Sequence, residues 1–360
     1  IRHMVQEEAF VQSPQIMVPQ KLALFGTKVI YPLQKLFRTA SGFTPYSIET
    51  VMSNSHISSE KAQRELGFSP RPFRETIGDI VSWWKENWAL VENPHWFGKV
   101  ALITGASSGI GAASARKMAS LGFEVLLVAR REDKLQHLTE EIRESGGRAD
   151  YIALDLTDPL AVDRIRKRIE TNYHGIDVLI NNAGIGWYGY FADMGWETAD
   201  TMMTLNTSSL VKLSLFVLPL MRKRRIGRII NIGSIAGEIE GQGSALYSAT
   251  KSFLNTFTRA ISRELKGSKI KMSVLRPGPV SSEFFDSALE KSNGRKMPVS
   301  SKGIKPALVA ERIWRLVKHP RHTAYVPGTF GLLKFTVLVR GWILDIAGPI
   351  HLKRHAKAKL

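Results

Sequence analysis

The chain has 360 residues, is 44% hydrophobic and 23% charged, and carries a formal net charge of +18. That length suits one large α/β domain with extensions. The chain has no cysteine, which excludes disulfide scaffolds and thiol catalysis. A basic balance raises nucleic acid as a partner, but no nucleic-acid-binding motif accompanies the basic runs, so no nucleic acid is expected.

Residues 1–95 contain no glycine-rich phosphate loop and no run of strands. Tyr31 and Lys35 stand four apart there, with Pro32 between them and Val18 thirteen residues before the tyrosine. They read as ordinary helix-surface or turn residues. Glu75 to Trp88, with Ile77, Ile80, Val81, Trp84 and Trp88, reads as a helix, and Asn93-Pro94-His95 as a linker.

Lys99–Ile103 is a short apolar run rich in strand formers. Thr104-Gly105-Ala106-Ser107-Ser108-Gly109-Ile110-Gly111 follows at once, and Ala112–Leu121 reads as a helix closed by Gly122. Strand, glycine-rich turn and helix in that order form a dinucleotide fingerprint, with the pyrophosphate expected at the helix N-terminus. Phe123–Ala129 reads as the second strand, and it ends in Arg130 and Arg131 rather than an acid. Guanidiniums at that place suit a 2′-phosphate and favour NADP(H), although they also open the next helix, Glu132 to Arg143. The apolar runs Val178–Ile180, Ile229–Ile232 and Met272–Leu275 alternate with helical segments, and Ala324–Pro327 reads as the last strand. The pattern predicts an α/β fold: a doubly wound, Rossmann-type parallel sheet with helices on both faces.

Tyr247 and Lys251 stand four residues apart, and Ser234 lies thirteen residues before the tyrosine. On a helix the pair shares one face. A lysine ammonium beside a phenol favours the phenolate and is expected to lower the tyrosine pKa. A tyrosine tuned in that way exchanges a proton with a reacting oxygen, and a serine hydroxyl polarises the same oxygen. The trio reads as machinery for interconverting a carbonyl and an alcohol.

Taken with Asn182-Ala183-Gly184, Asn206 and Pro277-Gly278, these residues occur in an order and at distances that resemble the short-chain dehydrogenase/reductases over about Phe97 to Pro327. The resemblance implies Tyr247 as general acid or base, with Lys251 tuning it and binding the nicotinamide ribose. It implies that Ser234 holds the substrate oxygen and that Asn206 keeps a water in a proton relay. For the cofactor it implies Gly105, Ser107, Ser108, Gly109, Ile110 and Gly111 at the pyrophosphate, and Asp155 with Leu156 at the adenine. Asn182, Ala183 and Gly184 would line the cofactor, and Pro277, Gly278 and Val280 would cover its nicotinamide side. Ser282 stands where many relatives carry threonine. No metal is expected. The resemblance further implies a small carbonyl or alcohol substrate and a homodimer or homotetramer, and a cytoplasmic site is the expectation. The alternative is a cofactor-binding structural or interaction module at a membrane surface with little turnover.

Ser58 to Phe73, with its Leu66-Gly67-Phe68-Ser69-Pro70 turn, is similar to the C-terminal tail of extended short-chain dehydrogenases of the epimerase and dihydroflavonol-reductase-like kind. That likeness spans roughly 20–92. With Ile1 at the start, it implies the C-terminal portion of a longer two-enzyme fusion, or a start placed late; the alternative is an unrelated helical N-terminal extension. The expected division is 1–95 as this helical remnant, 96–328 as the oxidoreductase domain, and 329–360 as a tail. The segment from Ser281 to Pro306 is polar and reads as a mobile substrate lid in which Phe284 and Phe285 face substrate or pack on the lid itself. Arg222-Lys223-Arg224-Arg225 sits where cations complement a helix C-terminus. The tail, apolar from Phe330 with Trp342 and ending in a basic run from Lys353, reads as an amphipathic helix. It suits an anionic membrane surface, an oligomer contact or a cap over the substrate pocket.

Overall fold

The computed structural model describes residues 59–69, 71–72, 74–80, 82–83, 96, 98–173, 175–239, 241–284, 294 and 303–336. The chain divides into two units, 1–88 and 89–360. In the first, α1 (Glu60–Leu66) ends at Gly67, whose φ of 64° places it in the left-handed region and whose N–H bonds back to Ala62. The glycine of the Leu-Gly-Phe turn is therefore a helix stop. The expected helix from Glu75 is present at 74–80 and 82–83; the rest of it lies outside the described residues, as do Tyr31 and Lys35.

In the second unit β1 (Val100–Thr104), β2 (Glu124–Ala129), β3 (Arg148–Ala153), β4 (Val178–Asn181), β5 (Gly227–Ile232), β6 (Ile270–Pro277) and β7 (Thr323–Val326) form one seven-stranded sheet. Its order is β3-β2-β1-β4-β5-β6-β7, with every neighbouring pair parallel. Strand residues alternate between two cores. Ala101, Ile103, Val125, Leu127 and Ile230 face one side, with α2 (Gly109–Ser120), α3 (Glu132–Glu144) and α8 (Pro306–Lys318). Val100, Leu102, Leu126, Val128 and Ile229 face the other, with α4 (Ala161–Asn172) and α6 (Ser209–Arg224). Phe257 and Ile261 of α7 (Ala245–Glu264) pack against that second core. Burial on both faces is why these strands read as unbroken apolar runs. Each fully buried Leu, Ile or Val contributes about 1.5–3 kcal/mol.

One strand had no signal of that kind. β3 is the edge strand, and of its six residues only Ala149 is fully buried, so its sequence carries no apolar block. The helix after β1 also starts earlier than its apolar pattern, at Gly109, inside the glycine-rich turn.

Arg224, in the basic run ending α6, pairs at 2.9 Å with the buried Asp177. The same carboxylate accepts the Val100 N–H at 2.9 Å, tying the start of β1 to the segment entering β4. Trp96 stacks on Phe123 at 5.8 Å, and Phe123 meets Trp314 edge-on at 6.1 Å. Each such pair adds about 0.5–1.5 kcal/mol beyond area burial. The stretch Trp196–Arg224 is long and apolar enough to cross a membrane by length and composition. It nonetheless buries Leu213, Val217 and Met221 in the second core, as a core helix does.

Candidate active site

Sheet order reverses beside β1, so the C-terminal ends of β1 and β4 open a crevice between loops that leave in opposite directions. The glycine-rich turn follows β1 and Asn182 follows β4. Thr104 holds the two together: its hydroxyl accepts the N–H groups of Asn182 and Ala183, each at 3.0 Å. The Asn182 side chain donates to the carbonyls of Thr104 and Gly105, each at 3.1 Å. Gly105 has φ 63°, and a Cβ there would stand 2.9 Å from the Ala183 backbone. One on Gly111 would overlap the Gly105 carbonyl. Only glycines allow this turn, which leaves the first N–H groups of α2 facing the crevice.

The crevice is a cavity of about 880 Å³. Of the sequence-predicted residues it is lined by Gly105, Ser107 to Ile110, Arg130, Arg131, Asp155, Leu156, Asn182 to Gly184, Ser234, Tyr247, Lys251, Pro277, Gly278 and Val280. Two predicted residues stay behind its wall. Gly111 packs α2 on the turn. Asn206 is buried in a π-helical turn, Thr204–Ser208, that joins α5 (Trp196–Met203) to α6. Its amide donates to the Ile185 carbonyl and the Thr250 hydroxyl, each at 3.0 Å, and accepts the Ile185 N–H at 2.9 Å. Asn206 thus pins the loop after β4 to the helix carrying Tyr247.

At the inner end α7 presents Tyr247, Lys251, Leu254, Asn255, Thr258 and Ser262 along one buried face. Tyr247 and Lys251 are 8% and 4% exposed. Ser234 lies two residues beyond β5, begins a short 3-10 turn, and faces the Tyr247 phenol. Burial pushes that phenol up to about 12, against the opposing effect of Ser234. Burial also brings the Lys251 ammonium down to about 8. The expectation that lysine lowers the tyrosine is not met in this arrangement. Lys251 Nζ lies 5.8 Å from the Tyr247 ring centre and donates to the Ile232 carbonyl at 3.0 Å, so desolvation dominates both groups.

At the outer end the two arginines separate. Arg130 reaches Asp155 at 3.5 Å. Burial works to raise that carboxyl, but bonds from Thr157 and the charge of Arg130 outweigh it and hold it below its ordinary value. Arg131 turns toward the glycine-rich loop and donates to Ser107 Oγ at 3.0 Å and Ser108 Oγ at 2.8 Å.

Sequence reading missed several wall residues. Ile185, Gly186, Tyr188, Ile235, Ala236 and Ile239 line the cavity without belonging to a short motif. Phe284, by contrast, was expected either to face substrate or to pack on the lid itself. Its ring centre lies 5.9 Å from that of Tyr247, which favours the substrate-facing option; Phe285 and most of the expected lid lie outside the described residues. Phe330 packs on Gly278, so the start of the C-terminal segment covers the Pro277–Val280 loop, while residues 337–360 are not described. Among the described residues no group of His, Asp and Glu is arranged to hold a metal ion.

Fold and crevice together define a doubly wound, dinucleotide-binding α/β protein. Residues 99–293 match the family model described as short chain dehydrogenase. The chain belongs to that family, whose members are oxidoreductases using NAD(P)(H). It is 36% identical over 187 residues to the 3-oxoacyl-[acyl-carrier-protein] reductase FabG of Vibrio cholerae, covering 52% of this chain and 75% of that protein. It is 40% identical over 178 residues to a fatty acyl-CoA reductase of Acinetobacter baylyi, covering 49% of this chain and 60% of that one. Among solved structures, a short-chain dehydrogenase from Sphingobium yanoikuyae in complex with NADPH superposes with a TM-score of 0.58 at 29% identity, covering 73% of this chain and 96% of that one. Other structures of the same fold hold NADP or NAD.

Proposed function

We propose that this protein is an NADP(H)-dependent reductase of a carbonyl on an apolar, acyl-like substrate, with Tyr247 as the proton donor. The observation that carries this reading is the pairing of Ser234 with a buried Tyr247–Lys251 face at one end of a single cavity and Arg131 at the other. A nicotinamide dinucleotide fits the residues present. Gly105 to Ile110 and the α2 N-terminus would hold its pyrophosphate, Asp155 and Leu156 the adenine, and Arg131 a 2′-phosphate. Asn182 to Gly184 and Pro277 to Val280 would flank its nicotinamide half. When bound, the cofactor supplies the hydride.

The protein's own residues manage the oxygen. Ser234 orients it by a hydrogen bond, and the Tyr247 hydroxyl gives it a proton as negative charge develops. A phenol pushed up to about 12 stays protonated at neutral pH, which suits an acid in reduction. Lys251, at about 8, is still largely charged there and favours the phenolate left behind. Asn206 keeps the loop after β4 in register with α7, and a water in a relay behind Lys251 completes its part in this reading. Ile185, Tyr188, Ile235, Ile239 and Phe284 give the cavity its apolar wall. That wall, and the acyl-type substrates in the names of two relatives, support the substrate class.

Exposed Leu215 on α6 and Phe253 on α7 suit a homodimer or homotetramer built on those helices. The same reading keeps 1–95 as a unit apart from the catalytic domain at 96–328. The test is NADPH oxidation by the full chain with a 3-oxoacyl thioester, a long-chain aldehyde and a steroid ketone. Turnover with an acyl substrate supports the proposal. NADPH binding without turnover on any of them would favour a binding module.

A further inference from the structure

Besides Asp155, a second acid lies in the outer end of the cavity among cations. Glu283, six residues beyond the end of β6, accepts from Arg131 Nη1 at 2.6 Å and Lys134 Nζ at 2.7 Å. Its carboxyl is brought down to about 2 by these two bonds, so it is ionised throughout the working range. Arg131 simultaneously donates to Ser107 and Ser108 on the glycine-rich loop. The carboxylate therefore engages the same guanidinium that the loop presents to the cavity. Lys134 lies in the first turn of α3 and lines the same space. Arg130 is committed to Asp155 instead. Oxygens of a phosphate and of a carboxylate make the same charge-assisted bonds to these donors, and two anions at one pair of cations repel each other.

We propose that Glu283 is a specificity-determining residue: its carboxylate competes with the 2′-phosphate of NADP(H) for Arg131 and Lys134, and Lys134 is a second cation of that phosphate site. This rests on the NADP(H) reading above. The exchange has a structural consequence. Phe284, the next residue, lies against Tyr247, and Ser282, the one before, lies against Gly109. Glu283 thereby ties the segment covering the catalytic tyrosine to the end of the cleft where NADP(H) and NAD(H) differ. Arg131, Lys134 and Glu283 are 40%, 38% and 47% exposed, so solvent screens each pair and the effect of one substitution is a modest one.

The experiment is a fluorescence titration of the full-length protein with NADPH and with NADH, in wild type, Glu283→Gln and Lys134→Met. Removing the competing charge is expected to tighten NADPH binding about threefold and to leave NADH unchanged. Removing the lysine is expected to weaken NADPH about threefold, with NADH again unchanged. If wild type prefers NADPH but Glu283→Gln binds it no tighter, the competition is wrong and the NADP(H) reading stands. If Glu283→Gln weakens both cofactors alike, the carboxylate only orders its own segment, and the proposal fails in the same way. If wild type binds NADPH and NADH equally, the NADP(H) reading falls and this proposal with it.

Discussion

The inner and outer ends of the cavity use charge in opposite ways. At the inner end Tyr247 and Lys251 are almost wholly buried, and desolvation pushes the phenol up to about 12 and the ammonium down to about 8. At the outer end Arg130 pairs with Asp155, and Arg131 and Lys134 pair with Glu283, in side chains between 38% and 58% exposed. The comparison teaches where chemistry and where recognition belong. A proton donor needs a dry site that sets its pKa, whereas a phosphate clasp needs several screened donors, none of them decisive alone.

The sharpest way to break that contrast is at the inner end. Tyr247→Phe removes one oxygen from the buried cluster and is expected to lower turnover about a thousandfold, the scale of general acid catalysis. NADPH affinity, measured by titration, is expected to stay within about twofold because the outer contacts survive. Turnover near the wild-type level would remove Tyr247 from the mechanism. Next in size is Lys251→Met, read as stability against pH. The folded lysine gives up its proton near pH 8, whereas the unfolded one keeps it to about 10.5. Between those values the unfolded chain binds more protons, so wild-type stability rises with pH relative to the variant. Below pH 8 both states are charged and the full cost of burying the ammonium remains. Urea midpoints across this window measure the difference, and a flat difference would show that burial does not shift Lys251.

The two ends were also unequally legible in the sequence. The sheet and the inner site were readable because each rests on local pattern: apolar runs for strands buried on both faces, and a fixed spacing on one helix for Tyr247 and Lys251. For Tyr247 the neighbouring lysine is visible in a string of letters, whereas the desolvation that pushes the phenol up to about 12 is not. The same limit hid β3, whose edge position needs no apolar block. At the outer end Arg131 was found from its place after β2, but Glu283 lies 152 residues further along and Lys134 resembles any helix-surface lysine. No local pattern announces that pairing; only the return of the chain after β6 makes it. Phe284 and Tyr188 reach the cavity wall by the same kind of long-range closure.

The smallest effect sharpens the comparison most, because it asks whether the outer end recognises phosphate at all. Arg131→Ala removes a guanidinium that bridges two loop hydroxyls and faces the cavity. NADPH affinity is expected to fall about tenfold at low salt and less at high salt, as for a screened, multidentate contact. NADH affinity is expected to change less than about twofold, since a free 2′-hydroxyl brings no charge to the arginine. Arg131→Lys separates charge from geometry. A single ammonium cannot span Ser107, Ser108 and an anion together, so the lysine variant is expected to recover only part of the loss. An equal loss of NADPH and NADH in Arg131→Ala would mean that the arginine merely shapes the glycine-rich turn through Ser107 and Ser108. Cofactor choice would then lie elsewhere in the cleft.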